Sequence, residues 1–104
     1  MLGRYVRDEG ALALPEAVRK MTSLSADVLG LEDRGRIRVG AAADLVVFDP
    51  ATVADRATFE APHVAPAGIG AVVVNGVPVV LDGAPTGATP GRVLRRGESR
   101  DLVR

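Results

Sequence analysis

Apolar and polar positions change period once along this chain. Over residues 1 to 30 they recur at helical spacing. Leu2, Tyr5 and Val6 share one face of a short first helix, which Gly10 is placed to end. Leu14, Ala17, Val18, Met21 and Leu24 recur at intervals of three and four, with Pro15 in the first turn and Glu16, Arg19 and Lys20 facing water. Ser25 can cap a third, short helix that Gly30 terminates.

From Gly35 the period shortens to that of strands. Arg36, Ile37, Arg38 and Val39 alternate as a strand with one wet face should. Leu45 to Phe48 is a continuous apolar run between Asp44 and Asp49-Pro50, which predicts a strand covered on both faces. Residues 51 to 70 read as a loop with one turn of helix around Asp55 to Thr58.

The clearest local signal is Asn75-Gly76, a dipeptide suited to the two positive φ angles of a type I′ hairpin turn. The register that follows pairs Val74 with Val77 and Val72 with Val79, on one face with Leu81; Val73, Pro78 and Val80 lie on the other. Pro78 lacks an N–H, so its strand belongs at a sheet edge or turns that position outward. Asp82-Gly83 then directs the chain away. The fold class expected is α+β: a helical segment over 1–34, a small antiparallel-rich β-domain over 35–95, and a disordered basic tail over 96–104.

Composition narrows the function. At 104 residues the chain forms one domain at most, and aromatic residues are only Tyr5, Phe48 and Phe59, so any core rests on Val, Leu, Ile and Ala. Net charge is zero, which disfavours a domain whose work is gripping phosphate backbones or anionic lipid. Charge is uneven, however: from Gly91 on, five arginines (92, 95, 96, 100 and 104) face two carboxylates, leaving the tail at +3 and residues 1 to 90 at −3. A nucleic-acid grip by this tail is not expected, because no aromatics are interleaved to stack bases. Without cysteine there is no disulfide or thiolate site, no apolar run has bilayer length, and a cytoplasmic protein is expected.

The order of elements carries more. A helix ending Ala17-Val-Arg-Lys-Met-Thr22, then Ser25-Ala-Asp-Val-Leu-Gly-Leu31, Asp33-Arg-Gly-Arg-Ile37, Ala43-Asp-Leu-Val-Val-Phe-Asp49 and a Val-Asn-Gly hairpin resembles the C-terminal end of the metal-dependent amidohydrolase superfamily. Leu2-Gly-Arg-Tyr-Val-Arg7, Ala54-Asp-Arg-Ala-Thr-Phe-Glu60, Pro62-His63, Gly68-Ile69 and Gly87 through Leu94 resemble more narrowly the D-aminoacylases, the N-acyl-D-amino-acid deacylases. Ser25, where Pro is usual, and Ala13, where a capping Ser or Thr is common, depart from that pattern. The resemblance implies a zinc-dependent hydrolase of N-acyl-D-amino acids. Its metal ligands and catalytic Asp lie in a preceding barrel, and this stretch forms the last barrel helix and part of a composite β-sandwich. It also implies that no catalytic, metal-binding or substrate-binding residue transfers to this sequence.

The residues agree with that last implication. His63 is the only imidazole, so no hydrolytic zinc site can be assembled from several ligands and a base; a hydrogen bond ordering its loop is the expected role. Asp44 and Asp49 bracket a strand but, five residues apart, point to opposite faces, and turn hydrogen bonds account for both. Ser23, Ser25 and Ser99 have no base–acid partnership. Two readings remain open: the C-terminal part of a deacylase, inactive alone and completed by its barrel, or a free-standing interaction module. Strands and barrel that would cover Leu45 to Phe48 and Val72 to Leu81 are missing from the sequence, so a homo-oligomer is expected.

Overall fold

The computed structural model describes residues 1–96; the expectation of a disordered tail falls, but for Arg96, outside them. Leu2–Asp8 forms a π-helical segment. Two short α-helices follow, α1 (Leu14–Met21) and α2 (Ser23–Leu29). Four strands make one antiparallel meander in chain order: β1 (Leu45–Phe48), β2 (Ile69–Val74), β3 (Val77–Leu81) and β4 (Ala84–Pro85). The α+β class is as the sequence predicts.

The helices are divided at Thr22, whose backbone (φ −123°, ψ −88°) leaves the helical region. Its hydroxyl donates to the Val18 carbonyl at 2.6 Å and its own carbonyl accepts the Ala26 N–H at 2.9 Å, so one residue closes α1 and opens α2. Ser25 is therefore inside α2 and does not cap it. Its hydroxyl is satisfied by the Lys20 carbonyl at 2.7 Å, bridging the corner. Gly30 ends α2 at φ +73°, and Leu31 N–H returns to the Ala26 carbonyl at 2.9 Å, closing the helix with a left-handed cap.

Both tight hairpins rest on positive φ. Asn75 (φ 50°) and Gly76 (φ 77°) make the β2–β3 turn, as the dipeptide requires. Asp82 (φ 51°) and Gly83 (φ 79°) repeat the conformation, so the chain is not directed away: it folds back to form β4, with Leu81 opposite Ala84. The β2–β3 register holds for only two pairs from the turn, Val74 with Val77 and Val73 with Pro78. Val72 then meets Val80, not Val79, because β3 carries one extra residue there as a bulge. The expected grouping of side chains on faces is lost beyond that point. The bulged stretch is held from its far side by Thr86, whose N–H donates to the Val79 carbonyl at 2.9 Å and whose hydroxyl donates to the Pro78 carbonyl at 2.8 Å.

Three further expectations are corrected. Arg36 to Val39 is not a strand. Arg36 reaches back to both Asp27 carboxylate oxygens at 2.7 Å and Arg38 to the Glu32 carbonyl, while Ile37 and Val39 stand more than nine-tenths exposed with no strand beside them. An alternating pattern needs a partner strand and a face to bury, and neither is supplied here. Asp55 to Thr58 makes no helical turn, since the Asp55 carboxylate accepts the Ala57 N–H at 2.9 Å and bends the chain locally. Finally, β1 is not covered on both faces: Leu45 is 41% exposed, Val46 54% and Val47 61%.

The core is accordingly slight. Among the described residues the buried apolar side chains are Ala17, Ala26, Ala42 and Val53, and no helix packs against a strand. Gly35 fits against the α1–α2 corner, where a Cβ would sit 2.8 Å from the Thr22 carbonyl oxygen. Val53 lies between the N-terminal segment, where Arg7 donates to its carbonyl at 2.7 Å, and Gly68. A radius of gyration of 15.1 Å, against about 13 Å for a compact domain of this length, is consistent with an open arrangement.

Candidate functional site

The most concentrated polar chemistry joins the helical and strand regions. Arg34, in the connection after α2, is 8% exposed. Its guanidinium pairs with the Asp44 carboxylate through Nη1, while Nη2 donates to Asn75 Oδ1 at 2.7 Å. Asp44 Oδ1 accepts the Asn75 backbone N–H at 2.8 Å, and Asn75 Nδ2 donates to the Pro90 carbonyl at 2.9 Å. Gly76 N–H closes onto the Ala43 carbonyl at 2.9 Å.

Sequence position explains each member. Asp44 precedes β1, Asn75 is the first central residue of the hairpin turn, and Arg34 follows α2. An apolar-to-polar pattern marks the first two as boundary residues but gives no sign of Arg34, whose partners lie 10 and 41 residues away. A planar fork with fixed donors is the side chain suited to two acceptors at once. Among the described residues no buried side-chain nitrogen or oxygen lacks a partner, and this cluster ties the helical and strand regions together as a clasp. A recess of about 400 Å³ beside it is lined by Ala42, Ala43, Asn75, Gly76, Pro90 and Arg92.

The other residues singled out in the sequence are dispersed. Asp49 accepts the Ala51 N–H at 2.9 Å, while its backbone carbonyl takes those of Thr52 and Val53; it shapes a turn. His63 is exposed, and its ring makes no hydrogen bond among the described residues, so the expected loop-ordering contact is absent. What orders that loop is a bridge between Ala54 and Ala67 together with the Thr58 hydroxyl accepting the Ala61 N–H. Ser25 serves the helix corner. Ser99 lies outside the described residues.

A hydrolytic zinc centre needs three or four nitrogen, oxygen or sulfur ligands converging on one point. Among the described residues no three His, Cys, Asp or Glu side chains gather closely enough to hold a metal ion. The side chains present do not fit such a centre. No helix among the described residues is long and apolar enough to cross a membrane.

Comparison with known proteins places this arrangement. A family model described as the amidohydrolase family matches residues 1–80. N-acyl-D-glutamate deacylase of Alcaligenes xylosoxydans xylosoxydans is 58% identical over 99 residues, which cover 95% of this chain and 20% of that protein. The crystal structure of D-aminoacylase, described as defining a novel subset of amidohydrolases, superposes with a TM-score of 0.86 at 56% identity, covering 91% of this chain and 20% of that one. N-acyl-D-glutamate deacylase from Bordetella bronchiseptica, complexed with zinc and a phosphonate inhibitor mimicking the tetrahedral intermediate, matches with a TM-score of 0.73 at 51% identity over 81% of this chain and 19% of that one. The chain thus spans about a fifth of the length of the relatives it matches. With most of its residues inside the family match and over half identical to D-aminoacylase and its relatives, the chain belongs to the amidohydrolase family.

Proposed function

We propose that this chain is the C-terminal portion of a zinc-dependent deacylase of N-acyl-D-amino acids, and that its own task is structural. It supplies a terminal helix of the catalytic barrel and part of a composite β-sandwich that braces it. Catalysis belongs to the portion of the enzyme that carries the metal ligands. Hydrolysis of the acyl amide to a carboxylate and a D-amino acid is the activity of the whole, and the isolated chain is inactive.

The observation that carries this reading is the combination of specified backbone and missing cover. A fold shared at 0.86 with D-aminoacylase leaves Val28, Leu29, Ile37, Val39, Val46 and Val47 more than half exposed. Each large apolar side chain left wet forfeits roughly 1.5–3 kcal/mol. A domain evolved to stand alone would not leave so much stabilisation unused when typical totals are about 5–15 kcal/mol. Exposure of this kind is what a piece of a larger packed body shows when viewed without its neighbours.

The test is reconstitution. A related N-acyl-D-glutamate deacylase lacking the matching stretch is assayed for glutamate release from N-acetyl-D-glutamate, with and without this chain added in trans. The chain alone should release no amine, and the shortened enzyme should recover activity on its addition. Turnover by the chain alone, or no recovery together with no binding to the shortened enzyme, would overturn the reading. A free-standing interaction module predicts the second of those results.

A further inference from the structure

The dipeptide that makes the β2–β3 turn is also a chemically labile one. Asn75 carries the only side-chain amide of the sequence, which has no glutamine and no second asparagine. A glycine after asparagine leaves the next backbone nitrogen unshielded, and nothing lies within 4 Å of a Cβ added at Gly76. The recess of about 400 Å³ that both residues line gives water a way to the same place. Sequence and access therefore favour loss of the amide.

Geometry opposes it. Loss of the amide begins when the Gly76 nitrogen reaches Asn75 Cγ, and each group that has to move is held. Arg34 Nη2 donates to Asn75 Oδ1 at 2.7 Å and Asn75 Nδ2 donates to the Pro90 carbonyl at 2.9 Å, so the amide plane is fixed from both ends. The Gly76 N–H is engaged by the Ala43 carbonyl at 2.9 Å, and the Asn75 N–H by Asp44 Oδ1 at 2.8 Å. We propose that Asn75 is a modification site gated by the Arg34 clasp: the closed clasp preserves the amide, and its opening commits Asn75 to deamidation.

With the clasp open, a solvent base removes the Gly76 amide proton and the nitrogen attacks Asn75 Cγ. A bond forms between Gly76 N and Cγ, the Cγ–Nδ2 bond breaks, and Nδ2 takes a proton from water and leaves as ammonia. Water then adds to the five-membered succinimide. Opening at one carbonyl gives aspartate, and at the other isoaspartate, whose main chain runs through the former side chain. Asparagine and water have become a carboxylic acid and ammonia, with no change of oxidation state.

The product does not restore the clasp. Arg34 keeps an acceptor, but an oxygen now stands where Nδ2 donated to the Pro90 carbonyl, so two acceptors face each other. A second carboxylate joins Asp44 around one guanidinium. Isoaspartate also lengthens the turn by a methylene, which upsets the spacing by which the amides of residues 75 and 76 reach Asp44 and Ala43. The change is one-way, and it records how often the junction of helices and sheet has opened.

The full chain is incubated in mildly alkaline buffer with and without concentrated urea, and intact mass and released ammonia are followed. With one side-chain amide present, both report Asn75 alone. Local opening is faster than this chemistry, so the rate without urea tracks the open population and should lie more than about tenfold below the rate in urea. Arg34→Met should remove most of that difference. Arg34→Lys, which keeps the charge without the fork, should fall between it and the parent. Gly68→Ala, which strains the other end of β2 without touching the clasp, should remove far less, and so separates local opening from general loss of stability. Asn75→Asp, one of the two products, should unfold at a lower urea concentration than the parent. Equal rates with and without urea overturn the proposal, as does equal acceleration by Arg34→Met and Gly68→Ala, or an Asn75→Asp chain as stable as the parent. Slower deamidation in Arg34→Met overturns it too, since the guanidinium would then activate the amide carbonyl that it holds.

Discussion

Arg34 and Val47 occupy positions that their chemistry would ordinarily exchange. The guanidinium of Arg34, a group that costs several kcal/mol to remove from water, is 8% exposed in the clasp with Asp44 and Asn75; the isopropyl group of Val47 is 61% exposed on the sheet. The clasp finds its partners within this chain. The sheet stays half exposed. Polar contacts are thus well developed among the described residues, whereas hydrophobic burial, the main driving term of folding, is slight among them. Under the proposed brace, such a division would let the chain hold its own backbone shape and take most of its stability from its neighbours.

The comparison would break first at Arg34. Arg34→Met keeps an apolar stem but removes the fork, leaving the Asp44 carboxylate and Asn75 Oδ1 without it. The expected loss is about 3 kcal/mol, reduced from the fully buried case because Asp44 remains 31% exposed. Urea denaturation of the chain measures it. A midpoint that does not move would mean that the clasp fixes orientation without contributing stability, and the contrast with the sheet would lose its energetic content.

The two glycines that flank β2 sharpen the same contrast. Gly68→Ala would place a Cβ 2.4 Å from the Val53 backbone nitrogen at a φ of +79°, so both sterics and backbone conformation oppose it; a loss of at least about 2 kcal/mol is expected. At Gly76 nothing lies within 4 Å of an added Cβ, so Gly76→Val is penalised by its φ of +77° alone, at about 1–2 kcal/mol. Gly76→Asn, tolerant of that φ, should recover most of the loss. Equal effects at positions 68 and 76 would show that the 49–68 connection is not packed as described.

These positions also show how far the sequence could be read. Asn75-Gly76, Pro15 and Gly30 were legible because each acts through its own backbone, within a few residues. The run Leu45 to Phe48 was legible as a strand, but its cover was not, because burial depends on what is opposite. Arg36 to Val39 misled for the same reason: an alternating pattern records a fitness to be a strand, and Arg36 and Arg38 instead bind Asp27 and Glu32 when no strand stands beside them. The β3 bulge and the role of Arg34 had no local signal, since one is set by Thr86 from beyond the next turn and the other by residues up to 41 positions away.

On the sheet itself, Val46→Thr should change the stability of the isolated chain by less than about 0.5 kcal/mol, as at any exposed site. In a reconstituted deacylase the same substitution, with its hydroxyl moved against apolar cover, should cost several times more. An equal and small effect in both settings would mean that β1 stays wet in the whole enzyme, contrary to the proposed brace.

The smallest effect is expected where chemistry is most conspicuous and burial least. Glu16 and Arg19, one turn apart on α1, join through hydrogen bonds of 2.7 and 3.0 Å. The hydrogen bond from Arg19 holds the Glu16 carboxyl below its ordinary 4.5. A carboxylate with a lowered folded value contributes stability above the ordinary range and loses it as pH falls through the lowered value. Both side chains are in water, so the contribution is slight and screened by salt. Thermal unfolding followed by far-ultraviolet circular dichroism at pH 7 and pH 3 should show Glu16→Gln differing from the parent only at pH 7 and low salt, by less than either glycine substitution. A shift at pH 7 as large as that of Gly68→Ala, surviving molar salt, would mean that this exposed pair shares the work assigned to the Arg34 clasp, and that polar specification is not concentrated at the junction.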